Sequence, residues 1–469
     1  MEEKNTTLDK VGSWISNSVM LKLAIITFLM LLLLIPTSMI QSIIYEREIL
    51  NEQASLEVSS KWGHSQTING PVMTIPIIYE YQEKEKKDKE EKIKTYQKTE
   101  YFHLLPDDLS INGDVAPQVL KRGIYESVVY ESKLFISGNF YVSLEKIKHK
   151  VKQQNLKEIR LDKAFLTVGI SDLRGIKEQL SIRWLDQPIP VESGSRIRNM
   201  IATGVTAILP DLAKSDVENQ KFELLLDIQG SQNLSFVPLG KVTTVNLKSD
   251  WHSPSFDGSF LPDFRDVNEN GFTADWKVLQ LNRNIPQYWQ GSNIGQSMHE
   301  AAFGVTLMST VDDYKKSVRS AKYAVMTIAL TFLMFFLVEV INKRKIHPFQ
   351  YALVGLGLCL FYILLVSISE HTNFNIAYGI STAGIITMIG LYSVSVLKVK
   401  KLSALLSVAL AGIYAFLFVT LQLSDYALLM GSLGLTLILG LTMYFTRNID
   451  WYKLSISTQN SQTLEHQNG

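Results

Sequence analysis

Apolar residues in this chain gather into six runs, and the wide gap after the first limits the fold more than any other feature. The first run covers residues 20–44. Roughly 270 mostly polar residues follow, and then five runs come in quick succession, at 322–341, 349–368, 374–397, 402–421 and 426–446. A run near 20 apolar residues is long enough to cross a bilayer's hydrocarbon core as a helix. The chain is therefore expected to be an α+β membrane protein. It would have an N-terminal transmembrane anchor, a large β-rich domain at 45–321 and a C-terminal five-helix transmembrane bundle, with short polar ends at 1–19 and 447–469.

Basic residues set the expected direction. Lys343, Arg344 and Lys345 follow the second run, Lys398, Lys400 and Lys401 lie between the fourth and fifth, and Arg447 and Lys453 follow the last. The alternate short loops carry Glu370-His371 or Asp425 and no Lys or Arg. Lys and Arg of short loops collect on the cytoplasmic side. Six crossings then place both termini in the cytoplasm and the large domain outside. The first run persists past Pro36 without an A-x-A-like cleavage site, so it reads as an uncleaved anchor. With 46 Lys and Arg against 45 Asp and Glu, the chain has no bulk attraction for nucleic acid. Its one cysteine, Cys359, lies in an apolar run, so the large domain holds no internal disulfide.

The large domain is punctuated like a β protein. Short runs rich in Val, Ile, Phe, Tyr and Thr, such as 72–79, 134–142, 165–171, 222–227 and 242–247, are separated by Gly, Asn, Asp and Pro. This predicts antiparallel sheets stacked as a sandwich or an extended pair of sandwiches. Asn112-Gly113 and Asn270-Gly271 suit hairpin turns. Helical insertions are expected near 144–151 and 195–207, and the charged run 83–94 as a solvated loop between strands. Asp312, Lys315, Lys316, Arg319 and Lys322 recur at helical spacing, which predicts one continuous helix leading into the second span.

Catalytic signatures are missing. There is no G-x-S-x-G, Walker A, H-E-x-x-H or paired C-x-x-C pattern, and neither a cofactor nor a metal is expected. Asp266-x-Asn268-x-Asn270-Gly271 imitates the start of a calcium loop, but the twelfth position is Lys277, so a hairpin turn is the better reading. Ionisable groups within the apolar runs are few. Glu339, near the end of the second run, is expected to reach the interface beside Lys343 and Arg344. Small residues recur every fourth position at Ser403, Ser407, Ala411 and Ala415, and at Ser432, Thr436 and Gly440. Such rows serve close helix packing within a bundle or, alternatively, a homo-oligomer.

Several stretches together resemble the CreD family of inner-membrane, cell envelope integrity proteins. They include Leu34-Ile35-Pro36, Ser59-Ser60-Lys61-Trp62-Gly63 with Gln66, Ser171-Asp172-Leu173-Arg174-Gly175-Ile176, and Gly271-Phe272-Thr273-Ala274-Asp275-Trp276. Leu281-Asn282-Arg283, His347-Pro348-Phe349-Gln350-Tyr351 and Ser369-Glu370-His371 continue the match, which covers nearly the whole chain. The resemblance implies the inner membrane of a Gram-negative bacterium, a periplasmic large domain, and a link to envelope stress and Cre-type two-component regulation. It supplies no catalytic residue. It ranks Glu370, His371, His347, Pro348, Gln350, Tyr351, Arg283 and Trp62 as candidate functional or interface positions. Tyr351 and Tyr362 would be interface anchors, and Glu370 would pair with His371, Arg319 or Lys322.

The expected function is non-enzymatic support of envelope integrity through the lipid bilayer and an unidentified periplasmic partner. A transporter or flippase-like protein is the alternative. A membrane-surface enzyme using Asp263, Arg265, Asp266 and Arg283 is a third reading.

Overall fold

The computed structural model describes residues 19–87, 90–214, 218–291, 294–307, 312–342, 346–423 and 426–447. The chain divides into two compact units, Met1–Leu50 with Thr310–Gly469, and Asn51–Ser309.

The described helices are α1 (Val19–Trp62), α2 (Leu144–Lys150), α3 (Gly295–Glu300), α4 (Asp312–Lys322), α5 (Ala324–Ile341), α6 (Pro348–Ser369), α7 (Phe374–Leu397), α8 (Lys400–Gln422) and α9 (Ala427–Thr446). Among the described residues, six of them, α1 and α5 to α9, are long and apolar enough to cross a membrane. Helix α1 does not stop at Ile44 but continues to Trp62. The extension carries four Glu together with Leu50, Gln53, Ala54 and Leu56, which favour helix once the apolar run has ended. Pro36 lies inside α1, where it removes a backbone donor. Neighbouring hydroxyls turn back on the backbone there, Thr37 donating to the Leu33 carbonyl (2.7 Å) and Ser38 to that of Ile35 (2.8 Å).

The helical unit is centred on aromatic rings. Phe361 meets Tyr362, Tyr378 and Tyr414 at centroid distances of 4.9, 5.4 and 4.6 Å. Asn373 caps α7 by accepting the Ile376 N–H at 3.0 Å. The expected continuous helix into the second span is interrupted, because Tyr323 (φ −86°, ψ 1°) separates α4 from α5. Helix α4 instead lies against α6, α7 and α8. The small-residue rows behave differently from each other. Ser403 is buried, and Ser407 approaches Gly390 of α7 so closely that a Cβ there would meet its Oγ at 2.6 Å. Ser432, Thr436 and Gly440 of α9 are exposed in the single chain instead of packed within it.

The β unit holds strands β1 (Gln66–Lys87), β2 (Glu90–Leu104), β3 (Asp108–Arg122), β4 (Tyr125–Tyr141), β5 (Leu156–Ile159), β6 (Phe165–Ile170), β7 (Ser181–Trp184), β8 (Gln187–Ile189) and β9 (Val191–Ser193). It continues with β10 (Gly204–Ile208), β11 (Asn219–Ser231), β12 (Asn233–Phe236), β13 (Val242–Ser249), β14 (Pro254–Gly258), β15 (Phe264–Asn268), β16 (Gly271–Leu279), β17 (Tyr288–Gln290) and β18 (Phe303–Leu307). One sheet has the order β14-β18-β12-β1-β6-β10-β9, with β2 and β5 also on β1 and β17 on β2. The other has the order β15-β16-β13-β3-β4-β11-β7-β8. Pairing is antiparallel except for β1 with β12 and β3 with β13, which run parallel.

Inward side chains of both sheets form one core. Trp276 of β16 sits 5.7 Å from both Phe256 of β14 and Phe303 of β18, which joins the sheets face to face. Strands β11 and β13 alternate buried and outward positions, as sheets solvated on one side do. Strand β6 is buried at every position, which fits its unbroken apolar run.

Three expectations fail within this unit. Asn112-Gly113 lies inside β3, where a Cβ on Gly113 would meet the Leu134 and Leu247 side chains at 2.6 and 2.8 Å. Glycine is needed there for close packing, not for a turn. In the charged run 83–94, the described residues 83–87 and 90–94 form strand instead of loop, extending β1 and β2 to the pair Lys87↔Glu90. Segment 195–207 forms turns and then enters β10 instead of a helix. The insertion at α2 does form. So does a hairpin at Asn268↔Gly271, where Asn268 Oδ1 accepts the Asn270 N–H at 2.9 Å.

Candidate functional site

Four arrangements gather the residues singled out above, two in the helical unit and two in the β unit. In the β unit, the Ser-Asp-Leu-Arg-Gly stretch surrounds the end of α1. Arg174 holds Asp172 through its Nε (3.0 Å) and Nη2 (2.8 Å), while its Nη1 donates to the Ser60 carbonyl in the last turn of α1 (2.9 Å). That carbonyl has no acceptor role inside the helix, so a guanidinium suits it. Asp172 also accepts the His64 N–H at 3.0 Å. Gln66 Nε2 donates to the Asp172 and Gln229 carbonyls (2.9 and 3.0 Å). Gly175 is required because a Cβ would strike the Gln229 carbonyl and lie 2.6 Å from Gln66 Nε2. Trp62 is half-buried and donates from Nε1 to the Tyr130 carbonyl at 3.3 Å, so it packs within this clamp.

The Arg174 guanidinium and the backbone donors hold the Asp172 carboxyl down at about 2. A depressed carboxyl stabilises the fold above its ordinary range near 4 and loses that contribution as pH falls through the folded value. Asp172→Asn is therefore expected to cost about 2 kcal/mol at pH 6 and almost nothing near pH 2. Melting curves of both proteins between these pH values check this, and a difference that stays constant with pH rejects it.

In the helical unit, Glu339 is enclosed by its neighbours. It is 3% exposed, and its Oε1 lies 2.6 Å from Lys22 Nζ of α1. Tyr351 of α6 donates its hydroxyl to Glu339 Oε2 at 2.9 Å, and the Ile346 N–H donates to Oε1 at 3.2 Å. One carboxylate thus joins α1, α5 and α6. His347, Pro348 and Gln350 form the start of α6. The His347 Nδ1 accepts the Phe349 N–H (3.2 Å), Gln350 Oε1 accepts the His347 N–H (3.0 Å), and Pro348 occupies the first helical position. They place Tyr351 beside Glu339. Tyr351 and Tyr362 are buried in the bundle and are not interface anchors.

At the opposite end of α6, Glu370 pairs with Arg47 of α1 (3.4 Å), not with His371, Arg319 or Lys322. His371 is exposed and its N–H closes the helix on the Ile368 carbonyl. Lys22 and Arg47 are about 38 Å apart along α1 at helical rise, and the hydrocarbon core is about 30 Å thick. The two ion pairs therefore lie at the two ends of the membrane-crossing length. Sequence reasoning undervalued Glu339 because its partner stands 317 residues away. The available signal was the carboxylate within an apolar run itself.

Arg283 is buried and donates to the carbonyls of Ile285 (3.0 Å), Leu239 (2.9 Å) and Gly240 (3.2 Å) and to Gln287 Oε1 (3.0 Å). None of these acceptors is a carboxylate, and burial lowers its pKa to about 10. Gln287 in turn donates to the Leu105 and Pro106 carbonyls, both at 2.8 Å. Arg283 is thus a staple between loops and bonds neither Asp263 nor Asp266, whose roles are a strand-edge cap and a hairpin. Gln287 also lines an open cleft of about 600 Å³ whose rim holds Lys146, His149, Lys150 and Lys241.

A profile of the family described as "Inner membrane protein CreD" matches residues 18–452. The chain belongs to the CreD family. It is also 33% identical over 429 residues to the inner membrane protein CreD of Escherichia coli (strain K12), which covers 91% of this chain and 92% of that relative. A CreD protein is an inner membrane protein, and several of the stretches that suggested the family build the clamp, the Arg283 staple and the start of α6.

Proposed function

We propose that this CreD-family protein is a non-enzymatic element of envelope integrity whose β unit faces the periplasm and binds an envelope component there. The observation that carries the reading is the β unit itself, Asn51–Ser309, inserted between α1 and five further apolar helices and presenting an open basic cleft. The basic loops described above support cytoplasmic termini.

Orientation has a direct test. Cys359 is buried, so a cysteine introduced at the exposed Ile124 reports alone. Ile124→Cys is expected to react with a membrane-impermeant maleimide in cells whose outer membrane has been opened. Labelling only after lysis contradicts the orientation. The binding role is tested by photo-crosslinking from the β unit in cells, with an envelope component as the expected product. No product from any site removes the reading. The Lys22–Glu339 pair, held between apolar helices, favours transport as a second reading, since ionisable groups in such helices mark substrate paths. Solute accumulation in proteoliposomes that is lost in Glu339→Gln would establish it.

A further inference from the structure

The cleft beside α2 combines features that a structural hollow does not need. Its walls are partly apolar, from Phe102, Ile147 and Tyr288. Its rim is cationic. Lys150 Nζ stands 5.0 Å from the centroid of Tyr288, and Lys146 Nζ stands 4.2 Å from that of Tyr141. These ring contacts fix two ammonium groups on one side of the opening. Lys241 on another side is held by Asp107, the one carboxylate among the lining residues. Arg283 adds a buried positive charge bonded to the lining residue Gln287; its hydrogen-bond acceptors are all neutral, and its Nε has no partner. The local balance is positive although the whole chain is nearly neutral.

A bare inorganic anion would leave the apolar walls unused. The volume of about 600 Å³ suits a ligand with both an apolar and a polar surface. A sugar ring has such surfaces, its C–H groups matching aromatic walls and its hydroxyls matching amides such as Gln280. We propose that this cleft binds an acidic saccharide, a sugar unit carrying phosphate or carboxylate, with Lys146 and Lys150 receiving the acid group. The site rests on the β unit alone, and only the envelope as the source of the sugar rests on the functional reading above.

The test uses the full chain in nanodiscs of neutral lipid and titration calorimetry. The probes are glucose 6-phosphate and glucuronate, with glucose and inorganic phosphate as controls. At least one sugar acid is expected to bind ten times more tightly than either control, and to weaken as salt is raised. Preference for the phosphate points to a glycolipid headgroup and preference for the carboxylate to a wall glycan. The exposed pair Lys146→Glu with Lys150→Glu is expected to lower affinity at least tenfold at an unchanged melting temperature. If that pair lowers the melting temperature, Lys150→Gln is used, with a several-fold loss expected. The proposal is overturned by phosphate binding as tightly as the sugar acid (an adventitious ion only), by glucose doing so, by no heat at millimolar probe, or by variants that bind unchanged. Envelope crosslinks without sugar-acid binding would remove this site and leave the functional reading standing.

Discussion

Replacing Lys22 with alanine is expected to destabilise the helical unit by about 3–5 kcal/mol, the usual cost of stranding one partner of a buried pair. Glu339 is 3% exposed and would keep only the Tyr351 hydroxyl and the Ile346 N–H as partners. Lys22 is 20% exposed, so the reverse variant Glu339→Ala leaves an ammonium that can turn toward the interface. The Glu339→Ala loss should therefore be smaller. The double replacement Lys22→Met with Glu339→Leu should recover most of the stability, because an apolar pair of similar volume avoids desolvation altogether. Thermal melting in detergent, with the level of full-length protein in membranes, measures all three. If Lys22→Ala melts like the parent, the pair contributes nothing and this account of the bundle is wrong. If the double variant is stable but fails in cells, the pair serves function beyond packing, as the transport reading requires.

Arg283→Ala is expected to cost about 3–5 kcal/mol in the β unit. Four acceptors would lose their donor at once, and a buried unsatisfied group costs about 1–3 kcal/mol. Arg283→Lys should recover little, since an ammonium lacks the planar fork that reaches Leu239, Gly240, Ile285 and Gln287 together. Denaturant titration of both variants reads the difference. A loss under 1 kcal/mol for the alanine variant would falsify the staple.

What the sequence revealed followed from patterns that lie close together along the chain. The apolar runs announce α5 to α9 because length and composition are local properties. The clusters around 268–271 and 144–150 announce a hairpin and a short helix for the same reason. The end of α1 lies past the apolar run because losing apolar character is not losing helix: Glu46, Glu48, Leu50, Glu52, Gln53, Ala54, Leu56 and Glu57 favour it. Asn112-Gly113 misled because the usual turn dipeptide was chosen there for what packs across it, Leu134 and Leu247. Glu339, Glu370, Asp172 and Arg283 were visible as residue types. Their partners, Lys22, Arg47, the His64 N–H and the Leu239 carbonyl, stand far along the chain, and no spacing rule joins them.

That remoteness matters for biosynthesis. Lys22 leaves the ribosome 317 residues before Glu339, and at about 5–20 residues per second this interval is some 16–60 s. For that time the first helix resides in the bilayer with an ammonium whose counter-ion has not yet been made, so the nascent chain depends on whatever shields it meanwhile.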